Sequence, residues 1–172
     1  MLDIIKQQLP DYAKDIKLNL GNVLTEEGSA ELSTAQIHGI ALASSLATKN
    51  KTLIEAGLAE IQLDPAHIEA AKAANAIMAM NNIYYRFVHL VEDKEFSSMP
   101  AKLRMNVIGN PGIAKTDFEL YSLAISAING CGMCIEAHTK QLLQHGISKI
   151  AIQSAIRIAA VIHAVAAVLD TL

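Results

Sequence analysis

Long period-two alternation is absent from the chain, and no Asn-Gly turn joins two β-branched runs. Ala, Leu, Ile, Lys and Gln, which favour helix, fill it instead. The pattern predicts an all-α protein. Helix starts are marked by Ser33 with Gln36 and Thr116 with Glu119, both capping-box pairs, by Asp64-Pro65, an N-cap followed by proline, and by Ser148. Gly57 and Gly146 stand where helix C-termini favour glycine. Together these signals predict about seven helices. An irregular stretch, Glu92 to Lys115, carries Pro100 and the turn Asn110-Pro111-Gly112 and divides the chain near its middle.

A shift of 82 residues lays Thr34 on Thr116, Ser44 on Ser126, Ile68 on Ile150 and Ala73 on Ala155, a weak internal two-fold repeat. At about 150 residues per domain, 172 residues make a single helical domain over 1–172, with a scaffold half at about 1–91 and a cysteine-bearing half at about 116–172. Lys49, Thr52 and Ala56 occupy the places in the first half that Cys131, Cys134 and His138 hold in the second.

Hydrophobic residues make up 52% of the chain and charged residues 18%, which excludes disorder. So much apolar surface in a short chain points to burial between subunits, a homo-oligomer. A net charge of −3 without a Lys/Arg cluster argues against nucleic acid. The most apolar stretch, Ile150 to Leu169, contains Gln153, Arg157 and His163, and its charge-free part, Ile158 to Leu169, is 12 residues, too short for a bilayer span. No membrane association is therefore expected. Met1 to Leu20 has no apolar export signal, and the only two cysteines, Cys131 and Cys134, form no disulfide framework. A cytoplasmic protein is expected, in which one local cysteine pair means chemistry.

That pair belongs to the pattern Glu119-x11-Cys131-x2-Cys134-x3-His138. At about 100° per residue the two thiols and His138 share roughly 60° of one helix face. Asn129-Gly130 reads as a helix start, whose free N–H groups would activate Cys131, whereas His138, one turn on, would activate Cys134. Spacing leaves the nucleophile open. Glu119 would lie roughly 18 Å from Cys131 along a continuous helix. It reaches the site, to orient His138, only if the chain folds back at Asn129-Gly130, and the Thr116 capping box accounts for it equally well without catalysis. A zinc site is the competing chemistry, with Glu136 or His145 needed to complete a tetrahedron. His145 before Gly146 suits a helix C-terminus. His38, His67, His89 and His163 read as structural or surface residues, and Met78, Met80 and Met99 as packing. Tyr84-Tyr85-Arg86 could line either a pocket or an interface.

With these residues in place, the chain resembles the alkyl hydroperoxide reductase D (AhpD) proteins, within the carboxymuconolactone decarboxylase-like superfamily. The resemblance runs through PDYAKDIKLNL at 10–20, MNNIYYRFVHL at 80–90, LRMNVIGNPG at 103–112, FELYSLAISAINGCGMCIEAH at 118–138 and IRIAAVIHA at 156–164. It implies an all-helical homotrimer and a thiol peroxidase that reduces alkyl hydroperoxides to alcohols. It further implies Cys134 as the peroxidatic thiol, Cys131 as its proton donor and resolving partner, and Glu119 and His138 as a proton relay. The implied reductant is dihydrolipoamide on a lipoylated dihydrolipoamide acyltransferase, served by dihydrolipoamide dehydrogenase, with a peroxiredoxin as a further partner and no tightly bound cofactor. Met133 departs from the family, some of whose members carry histidine there. The alternative function is an adaptor or redox sensor that passes electrons from lipoyl groups to a peroxiredoxin without peroxidase turnover of its own.

Overall fold

The fold begins with a short helix α1 (Asp3–Gln8) and a 3-10 turn at Asp11–Ala13, followed by α2 (Lys14–Val23), α3 (Thr34–Thr48), α4 (Lys51–Glu60) and the long α5 (Pro65–Leu90). Two single-turn helices, α6 (Glu95–Ser98) and α7 (Asn106–Gly109), cross the stretch that reads as irregular. The chain then runs through α8 (Lys115–Ile128), α9 (Gly132–Gln144) and α10 (Lys149–Leu169). This computed structural model describes residues 2–172, and no strand occurs among them. The protein is all-α, and the helices of ten residues or more are α2, α3, α4, α5, α8, α9 and α10.

The caps at Ser33, Asp64 and Ser148 form as expected, each side chain accepting from a backbone N–H in the first turn. Gln36 completes its capping box by accepting from the Ser33 N–H, and its Nε2 also donates to Asp117 Oδ1 at 2.8 Å. One box thus ties the start of α3 to the start of α8. Two expectations fail. Helix α4 runs on through Gly57 to Glu60, so this buried glycine does not terminate it, and an added Cβ would stand 3.7 Å from Leu42, Ser45 and Ile61, an ordinary contact distance. Helix α8 begins at Lys115 with Ala114 as an N-cap that makes no side-chain bond. Thr116 therefore lies inside the first turn, and its capping box with Glu119 does not exist.

Helices α3 and α8 pack on each other at the centre, flanked by α5 on one side and α10 on the other. Apolar or small residues surround most of their circumference, as buried helices require. Helix α10 is long and apolar enough to cross a membrane by length and composition, but Ile158, Ile162 and Val165 are buried in the protein core. Its polar residues are anchored too: Ser154 Oγ donates to the Ala30 carbonyl and Arg157 to the Gly28 carbonyl. Helix α9 lies against α8 and α5.

Tyr121 is the largest wholly buried side chain. Its Oη lies 2.7 Å from His67 Nδ1, and burial, then the charges of Asp117 and Asp64, hold its phenol well above the usual range. The ring crosses α3 directly over Gly39, where an added Cβ would stand 1.9 Å from the hydroxyl. Gly39→Ala should therefore cost at least about 1–3 kcal/mol of stability through overpacking. Urea unfolding checks this, and an unchanged midpoint would mean that α3 and α8 can separate there.

Candidate active site

The site is built on the junction between α8 and α9. Asn129 ends α8, and Gly130 follows at φ +70°, a left-handed conformation that suits glycine. The Cys131 N–H donates to the Ser126 carbonyl at 3.1 Å and the Gly130 N–H to the Ala127 carbonyl at 3.2 Å. These are the two bonds of a Schellman motif. Cys131 then serves as N-cap of α9, its Sγ accepting from the Cys134 N–H at 3.3 Å. The sequence expectation of a helix start at Asn129-Gly130 is thus corrected by a short distance. Those two residues close α8, and α9 starts at Gly132.

The reversal brings Glu119 to His138, with Oε2 2.6 Å from Nδ1. Both side chains are largely shielded, 5% and 12% exposed. Glu119 is thus a buried partner of the histidine, and with the capping box gone no helix-start role competes for it. Cys131 and Cys134 are joined as a disulfide, so the site stands in its oxidised form. Cys131 is wholly buried and Cys134 6% exposed. The expected set therefore assembles as two pairs, carboxylate with imidazole and sulfur with sulfur. Cys134 and His138 line one cavity without a hydrogen bond between them.

That cavity measures about 260 Å³. Besides Cys134 and His138 it is walled by Met78, Asn81 and Tyr85 of α5, Met105 and Ile108 beside and within α7, and Met133 and Ala137 of α9. The half of the chain expected to be scaffold therefore supplies one wall. Met78 is also more than packing. Its Sδ lies 3.3 Å from His138 Nε2 and accepts from Ser126 Oγ at 3.6 Å and Asn82 Nδ2 at 3.9 Å. With the carboxylate on one ring nitrogen and the thioether at the other, the imidazole is held in one orientation. The spacing 78, 81, 85 on one face of α5 was the available signal, but nothing in the sequence says which face meets the cysteines.

Polar bonds continue under the turn. Asn82 Nδ2 donates to Ser126 Oγ, Asn129 Nδ2 to Asn82 Oδ1, and Arg86 Nη1 to the Asn129 carbonyl at 2.7 Å. Of the Tyr84-Tyr85-Arg86 trio, Tyr85 faces the cavity and Arg86 braces the turn. His89 packs on Gly132, where a Cβ would meet its Cε1 at 3.2 Å. His145 lies at the far end of α9, its Nδ1 2.7 Å from the Gln141 carbonyl.

Residues 94–172 match the carboxymuconolactone decarboxylase family. The chain is 61% identical over 170 residues to the alkyl hydroperoxide reductase AhpD of Coxiella burnetii (strain RSA 493 / Nine Mile phase I), covering 98% of this chain and 96% of that protein. The chain belongs to the AhpD family. Other AhpD proteins similar to it come from Rhodospirillum centenum (56% identical; 98% of this chain, 90% of the relative) and Rhodopseudomonas palustris strain BisA53 (53%; 96% and 91%). Within this AhpD-family chain the reversal at Gly130 is what unites carboxylate and histidine. Gly130→Ala meets no atom within 4 Å, so its cost is backbone strain alone, about 1–2 kcal/mol. Thermal unfolding should show that loss, and a variant as stable as wild type would mean the junction can take another path.

Proposed function

We propose that the chain is a thiol peroxidase that reduces alkyl hydroperoxides at Cys134. The observation that carries the reading is the buried Glu119–His138 pair, 2.6 Å apart, whose imidazole shares one apolar cavity with a Cys131–Cys134 disulfide. The relatives' name, alkyl hydroperoxide reductase, supports the same enzyme class. In the reduced protein Cys134 lies in the first turn of α9, where unpaired N–H groups and the helix dipole favour a thiolate. His138 takes its proton, and Glu119 stabilises and orients the imidazole that holds it.

The thiolate attacks the terminal oxygen of the hydroperoxide and the O–O bond breaks. Sulfur is oxidised to a sulfenic acid as the peroxide is reduced to alkoxide, which leaves as alcohol with the proton from His138. The Cys131 thiol then displaces hydroxide from the sulfenic acid, giving the disulfide and water. A dithiol regenerates the enzyme, and by family resemblance it is dihydrolipoamide on a lipoylated acyltransferase, recharged by dihydrolipoamide dehydrogenase. A peroxiredoxin is a further partner by the same resemblance. By the same resemblance the chain works as a homotrimer, in the cytoplasm; its association with further copies is supported by apolar residues left exposed, such as Ile83, Phe87 and Leu90 along α5.

Two experiments test this. Purified protein with lipoyl reductant and an organic hydroperoxide, without peroxiredoxin, should form alcohol continuously. A disulfide that is reduced without turnover would make the chain an electron-passing adaptor. Glu119→Gln keeps a hydrogen-bonding group beside His138 Nδ1 and removes the charge, so it should lower turnover by roughly 10²-fold or more. Its melting temperature should stay near that of wild type. Retained turnover would confine Glu119 to a structural role.

A further inference from the structure

Two polar side chains line the cavity beside Cys134 without a part in the mechanism above, Tyr85 and Asn81, and Asn81 is the one that stands against the sulfur. Asn81 follows Met78 by three residues on α5, so both face the site. Its backbone carbonyl oxygen lies 4.0 Å from Cys134 Sγ, which puts the residue against the reacting sulfur. The side chain is 5% exposed, its Oδ1 is buried with no hydrogen-bond partner, and its amide nitrogen bonds no group of the protein. The neighbouring Asn82 differs sharply, with both ends of its amide engaged by Ser126 and Asn129. The other buried side-chain atoms without partners, Ser44 Oγ, Ser122 Oγ and Glu60 Oε1, belong to residues that do not line this cavity.

A buried amide oxygen left unpaired is destabilising, and a native site that keeps one calls for an explanation, a catalytic role among them. Here the reaction supplies the need. Breaking the O–O bond puts negative charge on the departing oxygen, and most of the cavity wall is thioether, alkyl and ring surface that cannot solvate it. The His138 ring is fixed between Glu119 and Met78 and provides the proton. We propose, resting on the peroxidase reading, that the Asn81 side-chain amide contacts the substrate and donates a hydrogen bond to the oxygen that leaves as alkoxide. The amide can turn either end to the cavity, its nitrogen carrying the donors. A fixed donor aimed at charge that develops only in the transition state is effective in such a dry site. By the same chemistry the site favours a hydroperoxide whose organic part fills the apolar cavity.

The test compares two reactions of the same sulfur, in a Cys131→Ser background where only Cys134 can react. Oxidation by cumene hydroperoxide expels an alkoxide, whereas alkylation by iodoacetamide expels iodide and needs no donor there. Asn81→Leu should slow the oxidation by roughly 10²-fold and leave the alkylation within about twofold. Its melting temperature should be unchanged or higher, because the apolar replacement buries no unpaired group. Asn81→Ala should reproduce the split in rates and guards against misfolding of the leucine variant. Unchanged oxidation overturns the role of Asn81 alone. Oxidation and alkylation falling together also overturns it, since Asn81 would then act on the thiolate. A protein with native Asn81 that is alkylated but not oxidised overturns the peroxidase reading and the role of Asn81 with it.

Discussion

The Schellman turn at Asn129-Gly130 is the constraint on which the site depends. It closes α8 and hands the chain to α9 with Cys131 already in place as N-cap. Because the chain reverses there, residues 119 and 138 stand 2.6 Å apart across two helices instead of at the ends of one. The turn is braced from α5, where Arg86 holds the Asn129 carbonyl and Asn82 holds both Asn129 and Ser126. Loss of these bonds would free the turn and the cysteines with it, which links the packing of α5 on α8 directly to the chemistry.

Charge is handled economically around the sulfur. Glu119 and His138 are both nearly out of contact with water, and such a pair holds together because each satisfies the other. Apart from Asn81 and Tyr85, the rest of the cavity is apolar, contributed by methionine, isoleucine and alanine side chains. Three thioethers line it, from Met78, Met105 and Met133. A polarisable sulfur at His138 Nε2 stabilises the ring orientation without competing for the proton as a carboxylate would.

Much of the fold was legible in the sequence. The caps at Ser33, Asp64 and Ser148 are local, each a side chain bonding its own first turn, and such signals survive without knowledge of tertiary contacts. Those that failed marked ends that the helices do not use: α4 runs on past Gly57, and Thr116 falls inside a helix that begins earlier with no side-chain cap. At the site, the cysteines and His138 were visible as a spacing and Glu119 as a conditional member, the condition being the reversal now seen. Met78 and Asn81 were not visible as site residues, and Tyr85 only as an open choice between pocket and interface, since α5 reaches the cysteines only through helix packing over long sequence separations. Met105 and Ile108 lay hidden in a stretch that reads as loop and in fact carries the single turn α7.

The chemistry assigned to Cys134 is tested most directly by anaerobic mass spectrometry. Reduced wild-type, Cys131→Ser and Cys134→Ser proteins would each receive one equivalent of organic hydroperoxide and then dihydrolipoamide. The expected results are a disulfide in wild type that dihydrolipoamide reverses, a sulfenic acid trapped at Cys134 in Cys131→Ser, and no oxidation in Cys134→Ser. A wild-type protein that stays reduced, or oxidation that settles on Cys131 in Cys134→Ser, would contradict the assignment.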